Sequence, residues 1–120
     1  MARTAVAYSD LVPNSNLADP AGTALTAGAG NGGQVADADP ELTVLRVVNG
    51  ATAGTFTVLA GQLPLAIASG QGDLAVSVGS SATEWVGPVE SGRFLQNDGS
   101  LIFETDQAMT VTAFKVPRNT

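Results

Sequence analysis

Glu41-Leu42-Thr43-Val44-Leu45-Arg46-Val47-Val48-Asn49-Gly50, taken up again at Thr55-Phe56-Thr57-Val58-Leu59-Ala60, is the stretch on which the fold reading turns. Successive side chains on a β-strand point to opposite faces, so apolar residues two apart mark one face of a sheet. Leu42, Val44 and Val48 share a face with Arg46, while Leu45 and Val47 occupy the other. A strand apolar on both faces reads as central. Asn49-Gly50 opens a turn that ends near Gly54, after which Phe56 and Val58 alternate inward against Thr55 and Thr57. The two runs read as a hairpin.

The same period recurs on both sides. Upstream, Thr4 to Ser9 sets Val6 and Tyr8 against Ala5 and Ala7, a first strand. Pro13 to Pro40 is polar and rich in glycine, with Asn14-Ser15-Asn16, Asp19-Pro20 and Gly28-Ala29-Gly30-Asn31-Gly32-Gly33. It reads as an extended arm within a single domain spanning residues 1–120, with short strands near Leu25 and Val35. Its apolar content is too low to offset the entropy of fixing it, so it is expected to order only against a partner. Downstream, Leu74, Val76 and Val78 alternate, Thr83 to Val89 continues around Trp85, and Gly87-Pro88 ends or bulges that strand. Arg93 to Gln96 and Leu101 to Thr105 flank Asn97-Asp98-Gly99, the strongest turn signal, and Met109 to Val116 alternates until Pro117. The expected fold is all-β, a small antiparallel β-sandwich or jelly-roll-like barrel of about seven or eight short strands with a Gly-rich N-terminal arm. Val44, Phe56, Val58, Val76, Phe103 and Val111 are its expected core. No apolar stripe of helical length interrupts this pattern, so helix is expected to be minor.

Composition narrows the function. Charged residues make up only 13% of the chain, against roughly 25% in typical soluble domains, which suggests that part of the surface lies against other protein. Five basic residues stand against eleven acidic ones, for a net charge of −6. That balance offers no electrostatic footprint for DNA or RNA. Cysteine is absent, which removes disulfides and thiolate metal sites. The N-terminus lacks the apolar run of a signal peptide, and Leu63 to Ala68 is far shorter than a membrane span, so a soluble protein made in the cytoplasm is expected.

Histidine and cysteine are both missing, which excludes most general-base and nucleophilic mechanisms. Glu84, Glu90 and Glu104 remain as carboxylates for a glycosidase pair, but no aromatic-lined cleft is legible around them, and no enzyme is expected. Asp37, Asp39 and Glu41 are spaced as in a Ca²⁺ loop but lack its glycine and its closing glutamate, so a solvated turn is the reading and no cofactor or metal is assigned. Gly70-Gln71-Gly72-Asp73 is a tight turn and not a phosphate cradle, because no lysine or helix start follows it. Trp85 falls in the alternation with Gly87 and Val89, which places it in the core; a sugar-binding module would instead present it as a stacking platform. Arg93 beside Phe94 is either an interface anchor or a strand residue paired with Glu90. Arg3, Tyr8, Trp85, Arg93, Phe94 and Arg118 are the candidate interface residues.

Trp85-Val-Gly-Pro-Val-Glu-Ser-Gly-Arg-Phe94, continuing through Gln96 and Asp98-Gly99 to Thr112-Ala-Phe-Lys-Val-Pro-Arg118, resembles short β-rich head proteins of tailed bacteriophages, especially those infecting actinobacteria. The opening Met1-Ala-Arg-Thr-Ala-Val6 and Ala18-Asp-Pro-Ala-Gly-Thr23 share the likeness, which spans most of the chain. It implies a capsid decoration, or cement, protein on the outer surface of the virion. The implied partner is the major capsid protein lattice, and a homo-oligomer, a trimer foremost, is implied on the particle. Two other readings stand beside it: a carbohydrate- or receptor-binding module of a fibre or appendage, and a tail or head–tail connector part. An exposed Trp85 beside polar residues would favour the carbohydrate reading.

Overall fold

The computed structural model describes residues 3–28, 30–61 and 72–117. The apolar run Leu63 to Ala68, the Gly70-Gln71 half of the glycine turn and Arg118 lie outside them. Ten strands carry the described chain: β1 (Thr4–Ala5), β2 (Tyr8–Asp10), β3 (Thr23–Ala24), β4 (Gly33–Val35), β5 (Thr43–Asn49), β6 (Gly54–Val58), β7 (Leu74–Val78), β8 (Thr83–Val86), β9 (Leu101–Thr105) and β10 (Met109–Lys115). A 3₁₀ turn (Pro40–Leu42) and a helical turn, α1 (Ser91–Phe94), are the helical pieces. The strands form two open sheets. Sheet A runs β1-β4-β9-β6-β7, and sheet B runs β2-β10-β5-β8 with β3 also on β10.

Inward residues of both sheets meet in one core. Val35, Phe56, Val58, Leu101 and Phe103 from sheet A face Leu45, Val47 and Val111 from sheet B, each no more than 1% exposed. Phe56 and Phe103 pack ring to ring at 5.3 Å. Phe56, Val58, Phe103 and Val111 thus sit where the alternation puts them, and Val76 packs against the cluster from β7. Val44 does not join it. On β5 the buried series is Thr43, Leu45, Val47 and Asn49, which sends Val44, Arg46 and Val48 to the outer face. Two apolar phases were available on that strand, and burial took the other one.

The expected hairpin across Asn49-Gly50 does not form. β5 pairs with β10 and β8 in sheet B, whereas β6 pairs with β7 and β9 in sheet A, so the turn carries the chain between sheets. Buried Asn49 holds this crossover: its Nδ2 donates to the carbonyls of Thr52, Val78 and Gly79 at 2.8, 3.0 and 3.1 Å, and its Oδ1 accepts from the Gly50 N–H. Val78 and Gly79 lead into the return crossover from β7 to β8. One side chain therefore pins both passages.

Three further expectations change. Thr4 to Ser9 is two strands, β1 in sheet A and β2 in sheet B, because the chain passes between the sheets at buried Val6. Both of these strands pair in parallel, so the sheets are mixed and not purely antiparallel. Within the Gly-rich segment the short strands expected near Leu25 and Val35 are present as β3 and β4, which enter opposite sheets, and Leu25 and Val35 are 4% and 1% exposed. Two well-placed apolar residues and ladder hydrogen bonds anchor what composition alone marks as disordered. Arg93 to Gln96 forms a helical turn and its exit instead of a strand, while the Asn97-Asp98-Gly99 turn is present, closed by Gln96 and Ser100.

Carboxylates and a lysine close several of these turns. Ser91 hydrogen bonds, the side-chain one foremost, hold the Glu41 carboxyl below its ordinary 4.5, and the side-chain bond to Asp39 holds Lys115 above its ordinary 10.5. A lowered carboxylate stabilises the fold above the unfolded value and loses that contribution as pH falls through the folded one. The raised lysine contributes below its unfolded value and loses this as pH rises. Thermal midpoints should therefore hold between these limits, decline below pH 4.5 and decline above 10.5. Glu41 is solvent-exposed and Lys115 partly so, so each drop should be small, and Glu41→Gln should flatten the acid limb measured by circular dichroism.

Candidate interaction face on sheet B

The alternation of β8 points Val86 inward and Trp85 outward, because Trp85 is in register with Arg46 and Val86 with Leu45. Trp85 is accordingly 60% exposed, not a core residue. One face of its indole stacks on Phe114 of β10, with ring centroids 5.7 Å apart and planes 26° from parallel. Arg46 also lies over the Phe114 ring, its guanidinium carbon 5.7 Å from the ring centroid.

Arg46 also ties the loop that connects β2 to β3 onto this face. Its guanidinium pairs with the Asp19 carboxylate and donates to the Pro20 carbonyl at 2.8 Å and to Thr112 Oγ1 at 3.3 Å. Leu11 N–H donates to the Lys115 carbonyl at 3.0 Å at the start of the same loop. At that end Leu11, Leu42, Val116 and Pro117, with Asp10, Asp39 and Lys115, line an open recess of about 470 Å³. The exposed large apolar residues among those described are Leu11, Val12, Leu17, Val48, Trp85 and Val116. Every one of them belongs to sheet B, to its continuation past β10, or to the β2–β3 loop.

The opposite face differs. Sheet A turns Gln34, Thr55, Thr57, Ala75, Ser77 and Glu104 outward, with Ile102 partly covered among them. Compared with protein-family models, curated proteins and solved structures, the chain matches none.

The other sequence candidates among the described residues are engaged inside the molecule. Arg3 pairs with Glu104 at 2.9 Å and donates to the Asn31 carbonyl at 2.5 Å. Half-buried Tyr8 accepts from the Asp39 N–H at 2.9 Å; Thr43 Oγ1 donates to the Asp39 carbonyl, which leaves the Tyr8 hydroxyl to donate to Thr43. Phe94 is 2% exposed and packs in the core, so it offers no interface surface. Arg93 lies 4.7 Å over the Phe94 ring and donates to the carbonyls of Gly72 and Asp73, in place of the expected pairing with Glu90. Asp39 pairs with Lys115 at 2.7 Å and Glu41 accepts from the Ser91 N–H at 2.7 Å, so these acids serve turns; no group of three metal-ligating side chains occurs among the described residues. Glu84 and Glu104 sit on different sheets, β8 and β9.

What composition did not reveal is the exposure of Leu11, Val12, Leu17, Val48 and Val116. The available signal was the doubly apolar β5, whose outer phase had to be covered by something.

Proposed function

We propose that this chain is a structural virion protein: a decoration, or cement, protein that binds the outer surface of a phage capsid and stabilises contacts between major capsid subunits. The reading starts from the sequence resemblance, which covers Trp85 to Phe94 and most of the chain beyond. The observation that carries it is the fate of the positive charges. Arg3, Arg46 and Lys115 each form an ion pair within the chain and Arg93 is spent on backbone carbonyls. With these described cations engaged within the chain, the reading draws adhesion from apolar and backbone contacts, as in a protein seated on protein. A jelly-roll connectivity and a trimeric arrangement at local threefold positions of the lattice belong to the same proposal.

A cement gains affinity by touching two or more neighbours at once, which raises avidity by roughly 10²–10⁴ over one contact. Co-sedimentation with expanded capsids, unexpanded procapsids and unassembled subunits tests this. Selective binding to expanded shells is expected, with little change between low and high salt, because this reading draws its binding energy mainly from apolar and backbone contacts. Binding that collapses at high salt, or that favours unassembled subunits, would count against it. The exposed Trp85 favours a second reading, a carbohydrate- or receptor-binding module of an appendage, for which a glycan array is the discriminating measurement.

A further inference from the structure

We infer that Asn49-Gly50 is a latent deamidation site, closed in the folded chain and open in the unfolded one, whose product cannot rebuild the two crossovers that Asn49 pins. The inference stands on the geometry of that turn and is independent of what the chain binds.

The sequence supplies the reactive pair. A backbone nitrogen can attack the side-chain carboxamide carbon of an asparagine that precedes it, and glycine, without a Cβ, leaves that nitrogen unshielded. Asn31 and Asn49 are the asparagines followed by glycine. At Asn49 the Gly50 nitrogen loses its proton to solvent base and bonds to Cγ, the Cγ–Nδ2 bond breaks, and ammonia leaves. Water then opens the five-membered imide at either of its carbonyls, giving aspartate or isoaspartate. One water is consumed and one ammonia released, and no electrons change hands.

The fold closes this route. Asn49 is 5% exposed, and its Nδ2 shares two hydrogens among the carbonyls of Thr52, Val78 and Gly79, so the carboxamide cannot turn. The Gly50 N–H donates to Asn49 Oδ1 at 2.8 Å, which aims its hydrogen at the oxygen and keeps the nitrogen beside it instead of above Cγ. The peptide between them is fixed at both ends: the Asn49 N–H donates to the Ala82 carbonyl at 2.9 Å, and the Gly50 carbonyl accepts from the Ser81 N–H at 2.6 Å. Reaction therefore has to wait for opening of the β5 end.

The product does not fit the place it came from. A carboxylate at position 49 has no hydrogen to donate and meets three carbonyl oxygens in a buried site, which leaves four acceptors facing one another. Isoaspartate adds a carbon to the main chain inside β5 and breaks its register with Met109. Asn31 is the contrast. It is half-buried, its Nδ2 makes one bond, to the Ala27 carbonyl, and a carboxylate there can turn to water. Gly50, for its part, is not required by the turn: its φ is not left-handed, and the nearest atom to a Cβ placed on it is the Ala108 carbonyl oxygen at 3.9 Å.

The test incubates the full chain at mildly alkaline pH, native and in guanidinium chloride, and follows aspartate and isoaspartate at both positions by peptide mass mapping. Conversion at Asn49 should be slower in the native chain by about tenfold or more. After dilution from guanidinium, the fraction that regains the native circular dichroism should fall in step with conversion at Asn49. Gly50→Ala should fold as the parent does and keep its refolding yield through the same incubation. Asn49→Asp should lower the thermal midpoint by about ten degrees or more, or fail to fold, while Asn31→Asp shifts it by a few degrees at most. Equal conversion of Asn49 in native and unfolded chain would overturn the closed state. A midpoint of Asn49→Asp equal to that of the parent, or a refolding yield in Gly50→Ala that decays as fast as the parent's, would overturn the consequence.

Discussion

Phe56→Ala should lower stability by about 3–5 kcal/mol, the usual cost of truncating a fully buried phenylalanine. Phe56 is fully buried and stacked against Phe103, at a place where β6 lies between β7 and β9 and the ring reaches toward sheet B. The lost apolar transfer energy is compounded by the cavity left behind, because neighbours on two hydrogen-bonded strands cannot collapse into it. Thr57→Ala, one residue along and on the outer face, should change stability by about 0.5 kcal/mol or less, as surface substitutions usually do. Urea denaturation of the two variants beside the parent chain decides the matter. Equal shifts in midpoint would mean that the facing of β6 is wrong, and with it the assignment of the core.

The second large effect is expected at Gly32, in the segment that composition marks as an arm. Its φ is +86°, a region costly for residues with a Cβ, and a Cβ there would sit 2.2 Å from the Phe103 carbonyl oxygen and 2.9 Å from Glu104 Cα. Backbone and not a flexible side chain is in the way, so β4 or β9 must move. Gly99 is the control: its φ is also +86°, with nothing within 4 Å of a Cβ. Gly99→Ala should thus cost about 1–2 kcal/mol, the strain of the left-handed conformation alone. Gly32→Ala should cost clearly more and should free β4 from β9. Hydrogen exchange would show this as lost protection at Val35 and Leu101, which are paired across that ladder. Equal destabilisation by the two substitutions would place the Gly-rich segment off the sheet, as an arm after all.

These two expectations separate what could be read along the chain from what could not. Alternation in β6, β9 and β10 named Phe56, Val58, Phe103 and Val111 as buried, and the breaks at Gly87-Pro88 and Asn97-Asp98-Gly99 fell where strands and turns end. Such features depend on φ/ψ preferences and on side-chain period, both of which are local. Pairing is not. Nothing near Asn49-Gly50 distinguishes a hairpin from a crossover, and the choice was made by Asn49 reaching carbonyls about thirty positions away, at Val78 and Gly79.

The candidate site follows the same division. That Trp85 lies on a strand was legible from its neighbours; that it faces solvent was not, since Trp85 and Val86 are both apolar and offer two opposite phases. Register with β5 resolved them, setting Val86 beside buried Leu45 and Trp85 beside Arg46. Val44 and Leu45 posed the same ambiguity on β5, and the sandwich could cover only one of the two phases. Local chemistry therefore settles which segments are strands and where they stop. Which face is buried, which strands are neighbours and which apolar side chains are left outside are settled only when two sheets close on one core.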